Sequence, residues 1–486
     1  MSRNNLNQND TIKPRQKKKR RKIETYLVLY FFVFLMLGVM GNLVRFQLTQ
    51  RETTINNSYN TRQELLAQQN IRGKILSMHG EVLAQTVVDE NGNEKRDYPY
   101  GNLFAHIVGY STKGKTGVEY QGNMNLLTSN AFIGEKIQNE LDSSKNYGDN
   151  IVTTLNVELQ QTAYDALGVY SGAIIVTDAK TGKILTMVSK PDYDPNQIVQ
   201  IWDDVINDDE SSILLNRATQ GLYPPGSTFK IITALEYFRE NGEEVNSYSY
   251  QCNGSFTNGT DKVNCYHGTK HGSVSFQRSF EKSCNSSFVN IGLSLDLNRM
   301  SKTAEELYFN KTLPTSLLSK KSSYVLGVDD ASYDVMQTAI GQGKTQITPL
   351  HLNMITQAIA NGGQMMEPYV IDRVENYKGT LVKQFDKRVA GNIMTEEEAE
   401  FLTRLMTGVV EEGTASKLSG LSYTSAGKTG SAEYNGVKED SHAWFTGFAP
   451  AQNPEICVTI IVEGAGSGGD YAVPIAKRIF DAYFLK

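Results

Sequence analysis

Proline is scarce in this chain, 12 residues in 486 against 41 glycines. With 40% hydrophobic and 21% charged residues, that balance excludes a disordered or collagen-like polymer. It leaves a globular chain long enough for two or three domains. No segment repeats. Histidine is also scarce, with six residues and no H-E-x-x-H; the closest pair, His267 and His271, falls in one loop. Metal-dependent hydrolysis therefore has no visible ligand set. Phosphate binding fares no better. G-K-T occurs at Gly343–Thr345 and Gly427–Thr429, but a phosphate loop needs a glycine five places earlier, where Thr338 and Ser422 stand. "GAGSGG", Gly464–Gly469, fits G-x-G-x-x-G after a strand. A dinucleotide fold further requires a βαβ unit and an acid about 20 positions on. Only 17 residues follow Gly469, so this match is expected to be a flexible loop.

Net positive charge is confined to the first 22 residues. Residues 1–22 carry nine Lys/Arg and one acid, Asp10, for a net of +8; the whole chain is −5, so the remainder is −13. An acidic body of that size argues against a nucleic-acid partner, because phosphate binding needs clustered cations. The basic run is followed by "YLVLYFFVFLMLGVMGNLV", residues 26–44, which is long enough to cross a bilayer as a helix. Lys and Arg lie on its N-terminal side, which places that end in the cytoplasm. The stretch Gly41–Phe46 offers no small-x-small cleavage site. The expectation is an uncleaved single-pass anchor in a cell membrane, with the rest of the chain extracytoplasmic.

The parts then divide as a basic cytoplasmic tail (1–23), a transmembrane anchor (24–44), an N-terminal pedestal (45–140), a linker (141–150) and a second domain (151–486). The pedestal begins with a polar stalk and then mixes short strands with turns, as in "KILSMHGEVLAQT", a hairpin pattern turning at Gly80. "LDSSKNYGDN" has the composition of a linker. In the second domain, "GAIIVTDAKTGKILTMVSKP" gives two apolar strands around an Asp-Ala-Lys-Thr-Gly turn. Near the far end, "SYTSAGKTGSAEY", "HAWFTGFAP" and "ICVTIIVEG" read as three more strands, and "VPIAKRIFDAYF" as a helix. With helical sequence between them, this predicts one sheet with a helical insertion, an α+β fold. Of the four cysteines, Cys252 and Cys265 flank a Gly/Asn-rich loop, and outside the cytosol such a pair can close a disulfide. Zinc is the rival chemistry, but no C-x-x-C supports it; the sequence leaves this open. Cys284 and Cys457 read as small buried residues.

"GLYPPGSTFK" carries the chemistry. Pro224, Pro225 and Gly226 break structure, and Ser227 then opens a helical pattern. Serine is a favoured N-cap, but a capping box would place Glu or Gln three residues on, and Lys230 stands there against the helix dipole. A lysine kept neutral by burial can accept a serine proton, and the i, i+3 spacing puts both on one face. Two further elements follow in order: Ser283-Cys284-Asn285 and Lys428-Thr429-Gly430, with Ser431 next. Each alone reads as a turn, cap or strand end. The ordered set of nucleophile–lysine, S-x-N and K-T-G is that of penicillin-binding proteins and class A β-lactamases.

"LLNRATQGLYPPGSTFK", "SCNSSF", "AIGQGKTQITPLHL", "SAGKTGSAE" and "HAWFTGFAP" resemble the transpeptidase domain of penicillin-binding proteins. "IRGKILSMHGEVLA" and "YPYGNLFAHIVGY" resemble the pedestal of the class B, monofunctional members, although "SMHG" departs from the family's usual Asp-Arg-Asn-Gly. The roughly 100 residues before the linker are too few for a glycosyltransferase domain. The resemblance implies an antiparallel sheet flanked by helices with a helical subdomain. It implies peptidoglycan D,D-transpeptidation of D-Ala-D-Ala stem peptides onto an acceptor amine, inhibition by β-lactams, and a SEDS-type glycan polymerase as membrane partner. No metal or cofactor is implied. By resemblance Ser227 is the nucleophile and Lys230 its base. Ser283 and Asn285 relay protons and hold the substrate, Lys428 tunes the network, and Thr429 binds the terminal carboxylate. The backbone N–H groups of Ser227 and Ser431, beside Gly430, form the oxyanion hole. Trp444 is expected to pack in the core.

The rival functions are weaker. A β-lactamase needs a deacylating glutamate; the E-x-x-L-N element is absent, and Glu305–Asn310 is the nearest stretch. A D,D-carboxypeptidase usually lacks this pedestal. A β-lactam sensor needs more spans and an effector, and a non-catalytic scaffold would be expected to lose motif residues.

Overall fold

The computed structural model describes residues 14–49, 61–208, 211–433 and 441–485. Residues 1–13 of the expected basic tail and 50–60 of the expected stalk lie outside them. The chain forms two units, Met1–Thr61 and Arg62–Lys486. In the first, Pro14–Thr49 is one helix. Its stretch Lys22–Gln47, 26 residues, reaches about 39 Å at 1.5 Å per residue, enough to cross a bilayer's hydrocarbon core.

In the second unit, the apolar runs near the two ends of residues 151–486 become one five-stranded antiparallel sheet. Its order is Ala426–Glu433, Ser441–Ala449, Ile456–Val462, Gly172–Asp178, Ile184–Lys190. The last two strands are joined as their sequence suggests: Asp178 Oδ1 accepts from the N–H groups of Lys180 (3.0 Å) and Thr181 (2.8 Å), folding the turn. The strands are near-continuously apolar because both faces are covered. Helices Val157–Leu167 and Ala472–Phe484 pack together on the sheet, as does Pro349–Ala360, all twelve of whose residues are buried. Thr348 caps that last helix, accepting from His351 N–H at 3.2 Å, with Pro349 in its first turn. The predicted sheet with a helical insertion is what forms. The insertion includes Lys230–Asn241, Asn285–Ser294, Leu297–Glu306 and Ser332–Ala339.

The pedestal is not separated from this body by a free linker. Ile75–Leu76 and Val82–Val88 form the expected hairpin, with Gly80 at φ +94°. That hairpin sits in a six-stranded sheet ordered Leu381–Gln384, Ile371–Glu375, Asn150–Thr153, Ile75–Leu76, Val82–Val88, Glu94–Asp97. Strands from late in the chain thus complete the sheet begun by the pedestal. The stretch 141–150, read as a linker, contributes Asn146–Tyr147, which pairs in parallel with Asn70–Ile71. Its glycine has a packing reason: a Cβ on Gly148 would lie 2.0 Å from the Leu126 carbonyl oxygen. Pedestal rigidity comes from Glu119, fully buried, whose carboxylate takes Arg72 at 2.5 Å and Arg96 at 2.7 Å.

Candidate active site

Gly226–Phe229 is a tight 3-10 turn that runs directly into the helix Lys230–Asn241. Ser227 lies inside that turn, partly exposed, with Pro225 in the cap position and no side-chain cap bond. It is not an N-cap. The turn is wedged between two backbones. Gly226 has φ +53°, and a Cβ on it would sit 2.8 Å from the Ser431 carbonyl oxygen; its N–H donates to the Gly341 carbonyl at 2.9 Å. Only glycine fits at so close an approach. The Ser227 turn and the K-T-G strand, Ala426–Glu433, are therefore in contact at Gly226 and Ser431.

One turn on, Lys230 is fully buried. Its Nζ donates to the Ser283 carbonyl (2.8 Å) and to Asn285 Oδ1 (2.7 Å), and lies 3.2 Å from Ser283 Oγ. Two firm acceptors consume the two N–H groups of a neutral amine and leave its lone pair for a third direction. Burial lowers the Lys230 pKa to about 8. Lys428, also fully buried, reaches the same hydroxyl from the K-T-G strand: its Nζ lies 3.1 Å from Ser283 Oγ and 3.0 Å from the Thr429 carbonyl. Burial first, and then the nearby Lys230 charge, hold its pKa well below the ordinary value. Among the described residues neither amine hydrogen-bonds a carboxylate. Both therefore cannot stay charged in so dry a site.

Ser283 joins the two lysines and does so from a left-handed backbone, φ +52°, unusual for a residue with a Cβ. Such strain clusters at functional sites. Asn285 Nδ2 donates to the Asn264 carbonyl at 3.0 Å, tying the S-x-N turn to the loop that ends at Cys265. The structure thus brings together Lys230, Ser283, Asn285 and Lys428 by direct contact and sets Ser227 and Thr429-Gly430-Ser431 around them.

Several neighbours escaped sequence reading. Thr414 meets Thr429, hydroxyl to hydroxyl, at 2.5 Å; its Gly-Thr setting carries no distinctive signal. Trp444 is buried, as expected of a core residue, but its Nε1–H also donates to the Pro224 carbonyl at 3.1 Å and braces the nucleophile loop. The glycine-rich loop Gly464–Gly469 is packed against the site: a Cβ on Gly468 would lie 2.5 Å from the Gly430 carbonyl oxygen, and Gly468 N–H donates to Ser431 Oγ at 3.3 Å. Gly468 reflects backbone contact, whereas Gly464 and Gly466 hold left-handed backbone at φ +61° and +96°. Glu305 is exposed and makes no bond to the cluster. The disulfide considered for Cys252 and Cys265 is not formed: both are free, with sulfurs 3.7 Å apart, well beyond a bond of about 2.05 Å.

Residues 172–481 match the family model of the penicillin-binding protein transpeptidase domain, and residues 72–151 match that of the penicillin-binding protein A dimerisation domain. The chain is 30% identical over 438 residues to the peptidoglycan D,D-transpeptidase PbpA of Mycolicibacterium smegmatis, covering 85% of this chain and 88% of that protein. It is 28% identical over 459 residues to the peptidoglycan D,D-transpeptidase MrdA of Haemophilus influenzae, covering 80% and 69%. Among solved structures, penicillin-binding protein A of M. tuberculosis as a ceftriaxone acyl-enzyme superposes with a TM-score of 0.78 at 28% identity, over 86% of this chain and all of the other.

Proposed function

The chain belongs to the penicillin-binding protein transpeptidases, and on that premise we propose which of its residues perform the reaction and where. It is a serine-type peptidoglycan D,D-transpeptidase, a class B penicillin-binding protein acylated by β-lactams. In the assignment we favour, neutral Lys230 takes the Ser227 proton as Oγ attacks the penultimate D-Ala carbonyl. The oxyanion that forms is held by the N–H groups of Ser227 and Ser431, each worth about 3 kcal/mol. Breaking the D-Ala–D-Ala amide then releases D-alanine, whose nitrogen takes a proton returned through Ser283. An acceptor amine from a second stem attacks the Ser227 ester and gives up a proton to Lys230, which returns it to Oγ as the C–O bond breaks and the serine is freed. Thr429, held by Thr414, binds the terminal carboxylate beside Gly430, and Asn285 holds the substrate amide while fixing Lys230. A β-lactam traps Ser227 at the ester stage.

The observation that carries this assignment is the hydrogen-bond count at Lys230: a buried amine with two acceptors filled, no carboxylate bonded to it among the described residues, and one lone pair free. The absence of a bonded carboxylate among the described residues also favours a long-lived ester over hydrolysis, because nothing is placed to activate water. We further assign residues 24–44 as a single-pass anchor with a cytoplasmic N-terminus and an extracytoplasmic catalytic domain, supported by the apolar helix and the Lys/Arg run before it. A SEDS-type polymerase as partner is supported by the family resemblance. The test is cross-linking of nascent glycan by the full-length chain co-reconstituted with such a polymerase. Cross-linked dimers should form with wild type and vanish with Ser227→Ala. Cross-linking that persists in that variant would refute the assignment.

A further inference from the structure

The stretch 340–348, which carries G-K-T at Gly343–Thr345, is a loop that touches both halves of the site. It leaves the helix Ser332–Ala339 through two backbone bonds of 2.9 Å, Gly341 N–H to the Thr338 carbonyl and Gln342 N–H to the Gln337 carbonyl. On one side it grips the segment that carries Ser227, at two points. Gly226 N–H donates to the Gly341 carbonyl at 2.9 Å. Tyr223 and Ile347 exchange both of their backbone bonds, at 3.1 and 2.8 Å. On the other side the Gln342 side chain meets the end of the strand Ala426–Glu433. Its Nε2 donates to the Glu433 carbonyl and its Oε1 accepts from the Glu433 N–H, each at 3.2 Å. One amide thus satisfies a single residue's main chain at both groups, as a neighbouring strand would.

The strand can accept this contact because of its place in the sheet. Ala426–Glu433 stands first in the strand order, so one edge is bonded to Ser441–Ala449 and the other is open. Along a strand, residues two apart turn their main-chain groups to the same edge. The Ser431 carbonyl faces Gly226 on the open edge, and Glu433, two residues on, faces Gln342 there. Holding Glu433 at two points therefore fixes the tilt of the strand where it carries the Ser431 N–H.

We infer that Gln342 is a positioning residue for acylation: through one loop it clamps the open edge of the K-T-G strand to the Ser227 turn, and so sets the gap between the Ser227 and Ser431 N–H groups. This rests on the assignment of those two groups as the oxyanion donors. Gln342 acts through the backbones of Glu433 and Gly226, outside the bond-making steps. Both donors must aim at one oxygen, and each is worth about a hundred- to a thousandfold in rate. A misplacement of about 1 Å already costs about a hundredfold. The bound ligand before attack needs that aim far less, because charge develops on the oxygen only as Ser227 Oγ adds. Releasing the clamp therefore lowers the rate of acylation and spares affinity. Lys230 is untouched, since its partners are Ser283 and Asn285.

The test is stopped-flow acylation of the full-length chain in detergent by a fluorescent penicillin, which separates affinity in the first complex from the rate of the acylation step. Gln342→Met keeps the side chain's length and removes both bonds, while Gln342→Glu keeps the acceptor and loses the donor at neutral pH. The acylation rate constant should fall about thirtyfold in Gln342→Met and about tenfold in Gln342→Glu, with affinity held within about twofold. The pH midpoint of acylation should stay at the wild-type value of about 8. Should the Met variant not fold, the Glu variant decides on the same readings. Acylation at the wild-type rate, a loss carried by affinity, or a displaced pH midpoint overturns the clamp, the last because it moves the effect to Lys230. Any of these with the wild-type adduct still mapped to Ser227 sinks this inference alone. An adduct retained in Ser227→Ala sinks the catalytic assignment instead.

Discussion

The rate of acylation should follow the protonation of Lys230, and the structure sets its midpoint. An ordinary lysine at 10.5 is neutral in only about 0.03% of molecules at pH 7, whereas one at about 8 is neutral in about 9%. The shift corresponds to about 3 kcal/mol favouring the neutral amine, supplied by removing the side chain from water and offset only in part by the nearby Cys284 and Cys265 thiols. Because the folded-state pKa is depressed, the active neutral form is lost as pH falls through about 8 and is nearly complete by pH 9. The second-order rate constant for a fluorescent penicillin, corrected for its spontaneous hydrolysis, should therefore climb about tenfold from pH 7 to pH 9 and then level off. Lys230→Met keeps the stem and removes the amine; it should lose at least about a thousandfold and show no such rise. A wild-type midpoint near 10.5, or a flat profile between pH 6 and 10, would refute Lys230 as the buried base.

Three further outcomes follow from the packing. Gly341→Ala puts a Cβ 2.0 Å from the Gly226 carbonyl oxygen and 2.7 Å from Phe229 Cβ, at φ +75°. The nucleophile turn must shift by about 1 Å, so acylation should fall about a hundredfold in stopped assays, and an unchanged rate would contradict the wedge. Thr414→Val removes the 2.5 Å partner of Thr429 with little change of shape. A loss of about tenfold in acylation efficiency is expected, about 1.4 kcal/mol, carried in the affinity step for the substrate carboxylate. Glu119→Ala removes the fully buried carboxylate that pairs the half-buried Arg72 and Arg96. Chemical denaturation should show about 3–5 kcal/mol lost, while the protein that remains folded acylates at the wild-type rate.

The catalytic sheet was readable because its strands are buried on both faces, and runs such as "GAIIVTD" and "ICVTIIV" admit few other fates. The contacts of Lys230, Ser283, Asn285 and Lys428 were foreshadowed by an unusual sequence: a lysine where a helix start prefers an acid, followed by two short motifs in fixed order. What escaped depends on distant segments meeting. Strands Ile371–Glu375 and Leu381–Gln384 return to complete the pedestal sheet some 220 residues after Asn150–Thr153, and no local pattern announces that pairing. The stretch 141–150 has a linker's composition because its backbone crosses others closely, which polar residues and glycine serve as well as disorder does. Thr414, Gly341 and Gly468 act through contacts made only in the folded chain. Cys252, Cys265, His271 and Cys284 lie 13, 6 and 13 residues apart in sequence yet within 4.8 Å of one another at their donor atoms, a cluster drawn from four separate segments that no C-x-x-C announced.

The most direct test of the central claim is the intact mass and peptide map of the full-length chain after exposure to benzylpenicillin, with Ser227→Ala alongside. The account predicts a gain of the whole drug mass, mapped to Ser227, persisting for many minutes and absent from the variant. An adduct retained in Ser227→Ala, or drug turned over rapidly without any lasting adduct on the wild-type chain, would contradict it.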